Sequence, residues 1–314
     1  MINLPSHGAI YLAKSEFLTE LKEELPDLTL IAGDLFFSAH QKIVCFAQDI
    51  WFDPKIVHVE SISSSAKLLR QIGRFWYLHP IEQVRRSRLI EAQLRKIPSL
   101  SRHFPPESEI PEIGVFSLLD QNTLLCSAKR LKKWPDGRCM FIEDKINPPN
   151  RAYLKLWEAL SFLKRYPKSG ETALDLGASP GGWTYVMQAL GTHATAIDKA
   201  PLAPKIGQLP RVEFIQQSGF AFDPYQLKAP YDWVLSDIAC YPARALELIK
   251  KWIDSGKAKQ MIFTIKLQGK TDMPILKEFQ AIPNSCIINL YHNKHEATFF
   301  YPAPMMSTSR EQDV

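Results

Sequence analysis

Between residues 151 and 302, short and almost uninterrupted apolar runs alternate with longer amphipathic ones. TALDLG, ATAID, VEFIQQ, YDWVLSDIA and QMIFTIKL are too short for helices and rich in branched and aromatic residues. Runs with little polar alternation suit strands covered on both faces of a largely parallel sheet. RAYLKLWEALSFLKRY, GWTYVMQAL and ARALELIKKWIDSG show helical spacing between them, and a last pair of strands is expected near CIINLYH and ATFFYP. This half reads as α/β, with ligands at the carboxyl ends of its strands.

The first 145 residues follow another pattern. GAIYLA, LTLIAGDLFF and KIVCFAQDIWF read as strands, and GVFSLLDQNTLLCSA as a hairpin around Asp120, Gln121 and Asn122. SSSAKLLRQIG predicts a helix with serine at its start and Gly73 at its end. Residues 81–97 predict a longer helix with Ile90, Leu94 and Ile97 on one face. KINPPN (145–150) reads as a linker, because its prolines disfavour helix and central strand. The expected organisation is an α+β domain over 1–145, an α/β domain over 146–302 and a flexible polar tail over 303–314.

Composition narrows the partners. A net charge of +5 permits a polyanionic ligand without requiring one. Five scattered cysteines without a CxxC pair read as reduced thiols, not as a disulfide framework or zinc site. The N-terminus lacks the cationic start and apolar core of a signal peptide, and no apolar run is long enough for a membrane span. A cytoplasmic protein with no metal is expected.

The glycine loop DLGASPGGW (175–183) carries the first chemistry. A P-loop needs a lysine and a hydroxyl residue after its last glycine, where Trp183 and Thr184 stand. A dinucleotide fingerprint needs G-x-G-x-x-G, whereas Gly177 is followed by Ala178, Ser179, Pro180, Gly181 and Gly182. Asp175, just before the loop, suits a cationic ligand better than a pyrophosphate. S-adenosylmethionine, with a sulfonium, an ammonium and no phosphate, fits. Asp198 closes the next strand, where a carboxylate can accept hydrogen bonds from ribose hydroxyls. The competing reading is a tight turn that needs glycine only for close packing.

NRAYLKLWEA, LDLGASPGGWT, SDIA and TIKLQG together resemble the FtsJ-like family of RNA ribose 2'-O-methyltransferases over about residues 145–302. GGWTY, the proline-alanine of SDIACYPA and the ending LYHNKHE resemble its bacterial branch that methylates a cytidine of 23S ribosomal RNA. The resemblance implies a Rossmann-like, S-adenosylmethionine-dependent catalytic domain, and an N-terminal extension of ferredoxin-like and THUMP-like type, here reduced. It implies a catalytic tetrad at Lys155, Asp237, Lys266 and Glu296. It also implies that the glycine-loop residues through Trp183, with Asp198, Ser218 and Asp237, hold the cofactor. Ser218 stands where the family often has an aspartate beside the adenine.

A ribose hydroxyl is a weak nucleophile, and a lysine can take its proton only when neutral. Lys155 and Lys266 would depress one another's charge, with Lys266 as base, oriented by Asp237 and Glu296, and Lys155 steering the ribose or phosphate. Two readings stay open beside this one. Cys240, three residues after Asp237, matches the cysteine of RNA cytosine-C5 methyltransferases, although Ala239 replaces the expected proline. The other is an RNA-binding protein on the same fold that has lost turnover. Lys129, Arg130, Lys132 and Lys133, beside Trp134, are the favoured RNA contacts. The five basic residues of 81–97 are a second cluster.

Overall fold

Alternating side chains along the N-terminal strands build layers. A computed structural model describes residues 7–98, 103–107 and 109–304, and the chain forms two compact units, 1–142 and 143–314. The first residues of the N-terminus read above and most of the expected polar tail, residues 1–6 and 305–314, lie outside the described residues.

The N-terminal unit runs β1 (Ala9–Ala13), α1 (Leu18–Glu24), β2 (Thr29–Ala32), β3 (Leu35–Ser38), β4 (Ala47–Phe52), β5 (Lys55–His58) and α2 (Ile62–Ile72). It continues with β6 (Trp76–Leu78), α3 (Val84–Glu91), β7 (Gly114–Leu118), β8 (Thr123–Ser127) and β9 (Lys129–Arg130). Five strands pair in the order β2-β3-β1-β4-β9, and four in the order β5-β8-β7-β6. Tyr77, Val115 and Leu125 of the second sheet cluster with Ile10, Leu35 and Trp51 of the first. Their neighbours Trp76, Phe116 and Leu124 cluster instead with Leu69 of α2 and Ile90 of α3. The period of two thus places one sheet between the other sheet and the helices. The second sheet is built in the order β-α-β-α-β-β, whereas a ferredoxin-like module runs β-α-β-β-α-β.

The helix expected over 81–97 is shorter, at Val84–Glu91. Ile81 and Ile97 pack into the core between the sheets, while Ile90 and Leu94 pack under the helices, so one straight helix cannot satisfy both. The basic run at 129–133 also differs from the surface expected of it. Arg130 lies in β9 opposite Trp51, and its side chain is 2% exposed against a fully buried Asp49 at 2.9 Å. Its guanidinium also donates to the carbonyls of Ile113, Lys133 and Trp134. Lys132 is buried, and Lys133 pairs with Glu112. Of the four residues expected to contact RNA, only Lys129 is largely exposed, paired with Asp53 at 3.1 Å.

The second unit carries α4 (Tyr153–Leu163), β10 (Thr172–Leu176), α5 (Gly182–Ala189), β11 (His193–Asp198), α6 (Pro204–Gly207) and β12 (Val212–Gln216). It continues with β13 (Trp233–Ser236), α7 (Pro242–Ser255), β14 (Met261–Lys266), α8 (Met273–Gln280), β15 (Cys286–Ile288) and β16 (Glu296–Tyr301). One seven-stranded sheet has the order β12-β11-β10-β13-β14-β16-β15. Its first five strands are parallel, and β16 runs antiparallel between β14 and β15. This is a Rossmann-like α/β sheet, and the strand order reverses direction between β10 and β13, where such sheets bind ligands. Helix α8, not among the elements expected above, starts at an Asp272 cap that accepts from the Ile275 amide. No helix among the described residues is long and apolar enough to cross a membrane.

Arg130→Ala strands the Asp49 carboxylate in the core and is expected to destabilise the N-terminal unit by about 3–5 kcal/mol. Urea denaturation should show a lowered midpoint for that unit, and Lys129→Ala should leave the midpoint nearly unchanged.

Candidate active site

The glycine loop turns where β10 ends. Gly177 has φ +77°, and a Cβ there would lie 2.1 Å from Cγ1 of Ile238, so both backbone and space demand glycine. The Gly177 and Ala178 amides donate to the Ile197 carbonyl at 2.8 and 3.1 Å, and the Ser179 amide donates to Asp198 at 3.0 Å. Trp183 is buried and its indole donates to the Ala152 carbonyl at 2.9 Å, tying α5 to the start of α4.

Asp175 does not face a ligand as expected. It is 2% exposed and accepts from the Thr184 hydroxyl at 2.6 Å, bracing the loop against α5. Burial pushes its carboxyl up to about 7 against that hydrogen bond, and the Asp237 and Asp198 charges add to the rise.

A cavity of about 380 Å3 opens at the strand ends. Of the residues expected to hold the cofactor, Gly177, Ser179, Asp198, Ser218 and Asp237 line it. Ala178, Pro180, Gly181, Gly182 and Trp183 shape the loop without lining the cavity. Lys199, Phe220 and Arg244 line it too and were not anticipated. The donor set fits S-adenosylmethionine. Asp198 holds one amide on each oxygen, Ser179 on Oδ2 and Ala200 on Oδ1 at 2.9 Å, and keeps lone pairs for a ribose diol. Asp237 offers a second carboxylate, and the bare Gly177 backbone allows close approach.

Beside this cavity four charged side chains meet. Antiparallel pairing of β14 with β16 sets Lys266 directly opposite Glu296. Asp237 follows β13, the parallel neighbour of β14, and Lys155 lies in the first turn of α4. Lys266 Nζ is 2.5 Å from Asp237 Oδ1 and 2.8 Å from Glu296 Oε1. Lys155 Nζ is 2.7 Å from Glu296 Oε2 and 3.3 Å from both Asp237 oxygens. All four side chains are 15–18% exposed.

Burial works against the Lys266 charge, but the Asp237 carboxylate and then the hydrogen bonds to Asp237 and Glu296 outweigh it. The ammonium is held above the ordinary lysine range. Burial likewise opposes the Glu296 charge, and hydrogen bonds from Lys155 and Lys266 outweigh it, lowering that carboxyl. The expectation that one lysine is depressed by the other is therefore reversed: two carboxylates balance two cations, and Lys266 rests protonated.

One residue that holds this cluster together went unnoticed in the sequence. Glu158, one turn after Lys155 on α4, is buried and accepts from the Tyr291 and His292 amides and from His292 Nδ1, each at 2.7 Å. It clamps the turn that leads into Glu296. The signal was present as a carboxylate inside the apolar stretch LKLWEAL, which a buried position must satisfy. With His292 on Glu158 and His295 3.5 Å from the Thr271 hydroxyl, no metal cluster forms among the described residues.

Gly177→Ala is expected to weaken S-adenosylmethionine binding by at least about tenfold, because a left-handed backbone is costly for alanine and the methyl would strike Ile238. Calorimetric titration measures it, with an unchanged circular dichroism spectrum showing that the fold survives.

Residues 148–311 match the FtsJ-like methyltransferase family. A ribosomal RNA large subunit methyltransferase M from Xanthomonas oryzae pv. oryzae is 30% identical over 287 residues, covering 83% of this chain and 80% of the relative. The protein of the same name from Halorhodospira halophila is 34% identical over 185 residues, covering 56% of this chain and 53% of that one. The glycine loop, the carboxylate-lined cavity and the matched span agree: the chain belongs to the FtsJ-like methyltransferase family, and its cofactor is S-adenosylmethionine.

Proposed function

We propose that this chain transfers a methyl group from S-adenosylmethionine to the 2'-hydroxyl of a cytidine ribose in 23S ribosomal RNA. The observation that carries the reading is the Lys155–Asp237–Lys266–Glu296 cluster at the rim of the cofactor cavity. The names of the relatives, methyltransferases of large-subunit ribosomal RNA, support the substrate class. Since ribosomal RNA is the target, the place of action is the cytoplasm, and the N-terminal unit serves to position the RNA.

S-adenosylmethionine supplies an electrophilic methyl on a sulfonium. The chain does the rest. Asp198 and Ser218 fix the cofactor's polar edges, while Asp237 and Glu296 hold the two lysine heads in place. Lys266 accepts the hydroxyl proton once it has lost its own, and Lys155 keeps the ribose in line. RNA laid over the cluster excludes water, which adds to the burial that already opposes the Lys266 charge.

The Cys240 reading is weaker. A C5 nucleophile works as a thiolate, and burial pushes the Cys240 thiol up despite the nearby Arg244 and Lys266 charges. A protein without turnover is also disfavoured, since four charges in mutual contact are costly to keep half-buried without a task.

Lys266→Ala should lower methyl transfer to RNA by about 100-fold or more, with S-adenosylmethionine affinity retained by calorimetry. Full activity in this variant overturns the assignment. The sign of the pH dependence follows from the raised Lys266: the reactive neutral form grows with pH, so log kcat/KM should still be climbing where an ordinary lysine, near 10.4, would begin to level. A plateau already reached near neutral pH would contradict a lysine base held protonated in the free protein.

A further inference from the structure

The machinery above accounts for the cofactor and the reacting hydroxyl but leaves one wall of the cavity unused. Arg244 lines that wall, in the first turn of α7 and seven residues after Asp237. Its guanidinium lies 3.7 Å from the centroid of the Phe220 ring, which also lines the cavity. Stacking of this kind holds the fork in one orientation while leaving its edge free to donate.

The acid partners of α7 go elsewhere. Lys250 pairs with Glu278 and Lys251 with Asp223, while Arg244 has no ion pair among the described residues. It is exposed at the cavity mouth. It lines the same cavity as Asp237 of the tetrad and the Ile238 and Ala239 that follow it. Arg244 therefore stands on the segment that leads from the tetrad aspartate into α7, at the Asp237 wall of the cavity.

An aromatic ring completes the surface. Tyr241, at the cap of α7, is 71% exposed, and its carbonyl accepts from the Arg244 amide at 3.1 Å, so one turn carries both side chains. A preoriented unpaired guanidinium with an exposed ring beside it matches a single-stranded nucleic acid, which offers a phosphate and a base face at every nucleotide.

We propose that Arg244 and Tyr241 form the acceptor-side lip of the site, where Arg244 grips an RNA phosphodiester and Tyr241 stacks on a base next to the methylated ribose. This rests on the reading that RNA is the methyl acceptor. The two are positioning residues: they hold the strand so that one 2'-hydroxyl reaches the tetrad. An orphaned surface arginine and a solvated tyrosine would show no such effects.

Steady-state methylation of transcribed 23S ribosomal RNA by the full chain, at several salt concentrations, tests the inference. Arg244→Ala should raise the RNA KM about tenfold and flatten the salt dependence by close to one phosphate contact, a larger loss than any in S-adenosylmethionine affinity. Arg244→Lys should restore the salt slope and only part of the KM, because an ammonium keeps the charge without the fork. Tyr241→Ala should raise the RNA KM by roughly fivefold or more, and Tyr241→Phe should recover it. An RNA KM and salt slope untouched by Arg244→Ala overturn the inference and leave the methyltransferase reading standing. So does a loss confined to S-adenosylmethionine affinity, which would give Arg244 to the cofactor. If the wild type transfers no methyl to RNA, the reading and the inference fall together.

Discussion

The catalytic unit depends on a balance of charge in a half-buried place. Two ammonium groups and two carboxylates meet where water is largely excluded, each ammonium within 3.3 Å of both carboxylates. Any one of these charges alone would be costly to hold there, and removing one leaves its partners uncompensated. The arrangement works because each lysine touches both carboxylates. Its precision comes from the backbone. The register of β14 against β16 fixes Lys266 opposite Glu296, and the end of β13 delivers Asp237. Helix α4 carries Lys155 and uses Glu158 to secure the turn before β16.

The same balance sets the chemical problem. A cluster that is stable in the free protein holds Lys266 protonated. Catalysis by a lysine base then requires that the substrate change the surroundings of that lysine, which ties proton removal to the presence of RNA. The glycine loop is a separate device with its own constraint. Gly177 lets the chain pass Ile238, and Asp175 stays beneath the loop as a brace, leaving Asp198 and Asp237 as the acids that line the cavity.

Much of this was legible from residues. Continuous apolar runs mark the parallel strands, and the spacing of glycines alone excludes phosphate-binding loops. The contacts of the two lysines with the two carboxylates were not legible from spacing, since 141 residues separate Lys155 from Glu296; resemblance supplied the four residues. What misled was exposure. Asp175 and Arg130 are charged residues in promising stretches, and each turned out to be buried on a structural partner, Thr184 and Asp49. A lone charge in a strand says nothing of which face it takes until its neighbours are known. The 81–97 helix failed for a related reason, because Ile81 and Ile97 belong to a different core from Ile90. Helix α8 is legible in its aspartate cap and in the spacing of Met273, Leu276 and Phe279.

The proposed role of the cluster is to direct a methyl group to a sugar, not to a base. The most direct measurement is the position of the label after the protein acts on transcribed 23S ribosomal RNA with methyl-labelled S-adenosylmethionine. Digestion to nucleosides and fragmentation at the glycosidic bond in a mass spectrometer separates sugar from base. Transfer to the sugar gives 2'-O-methylcytidine, with the label leaving on the ribose fragment. A label retained on the base, as in 5-methylcytidine, would contradict it.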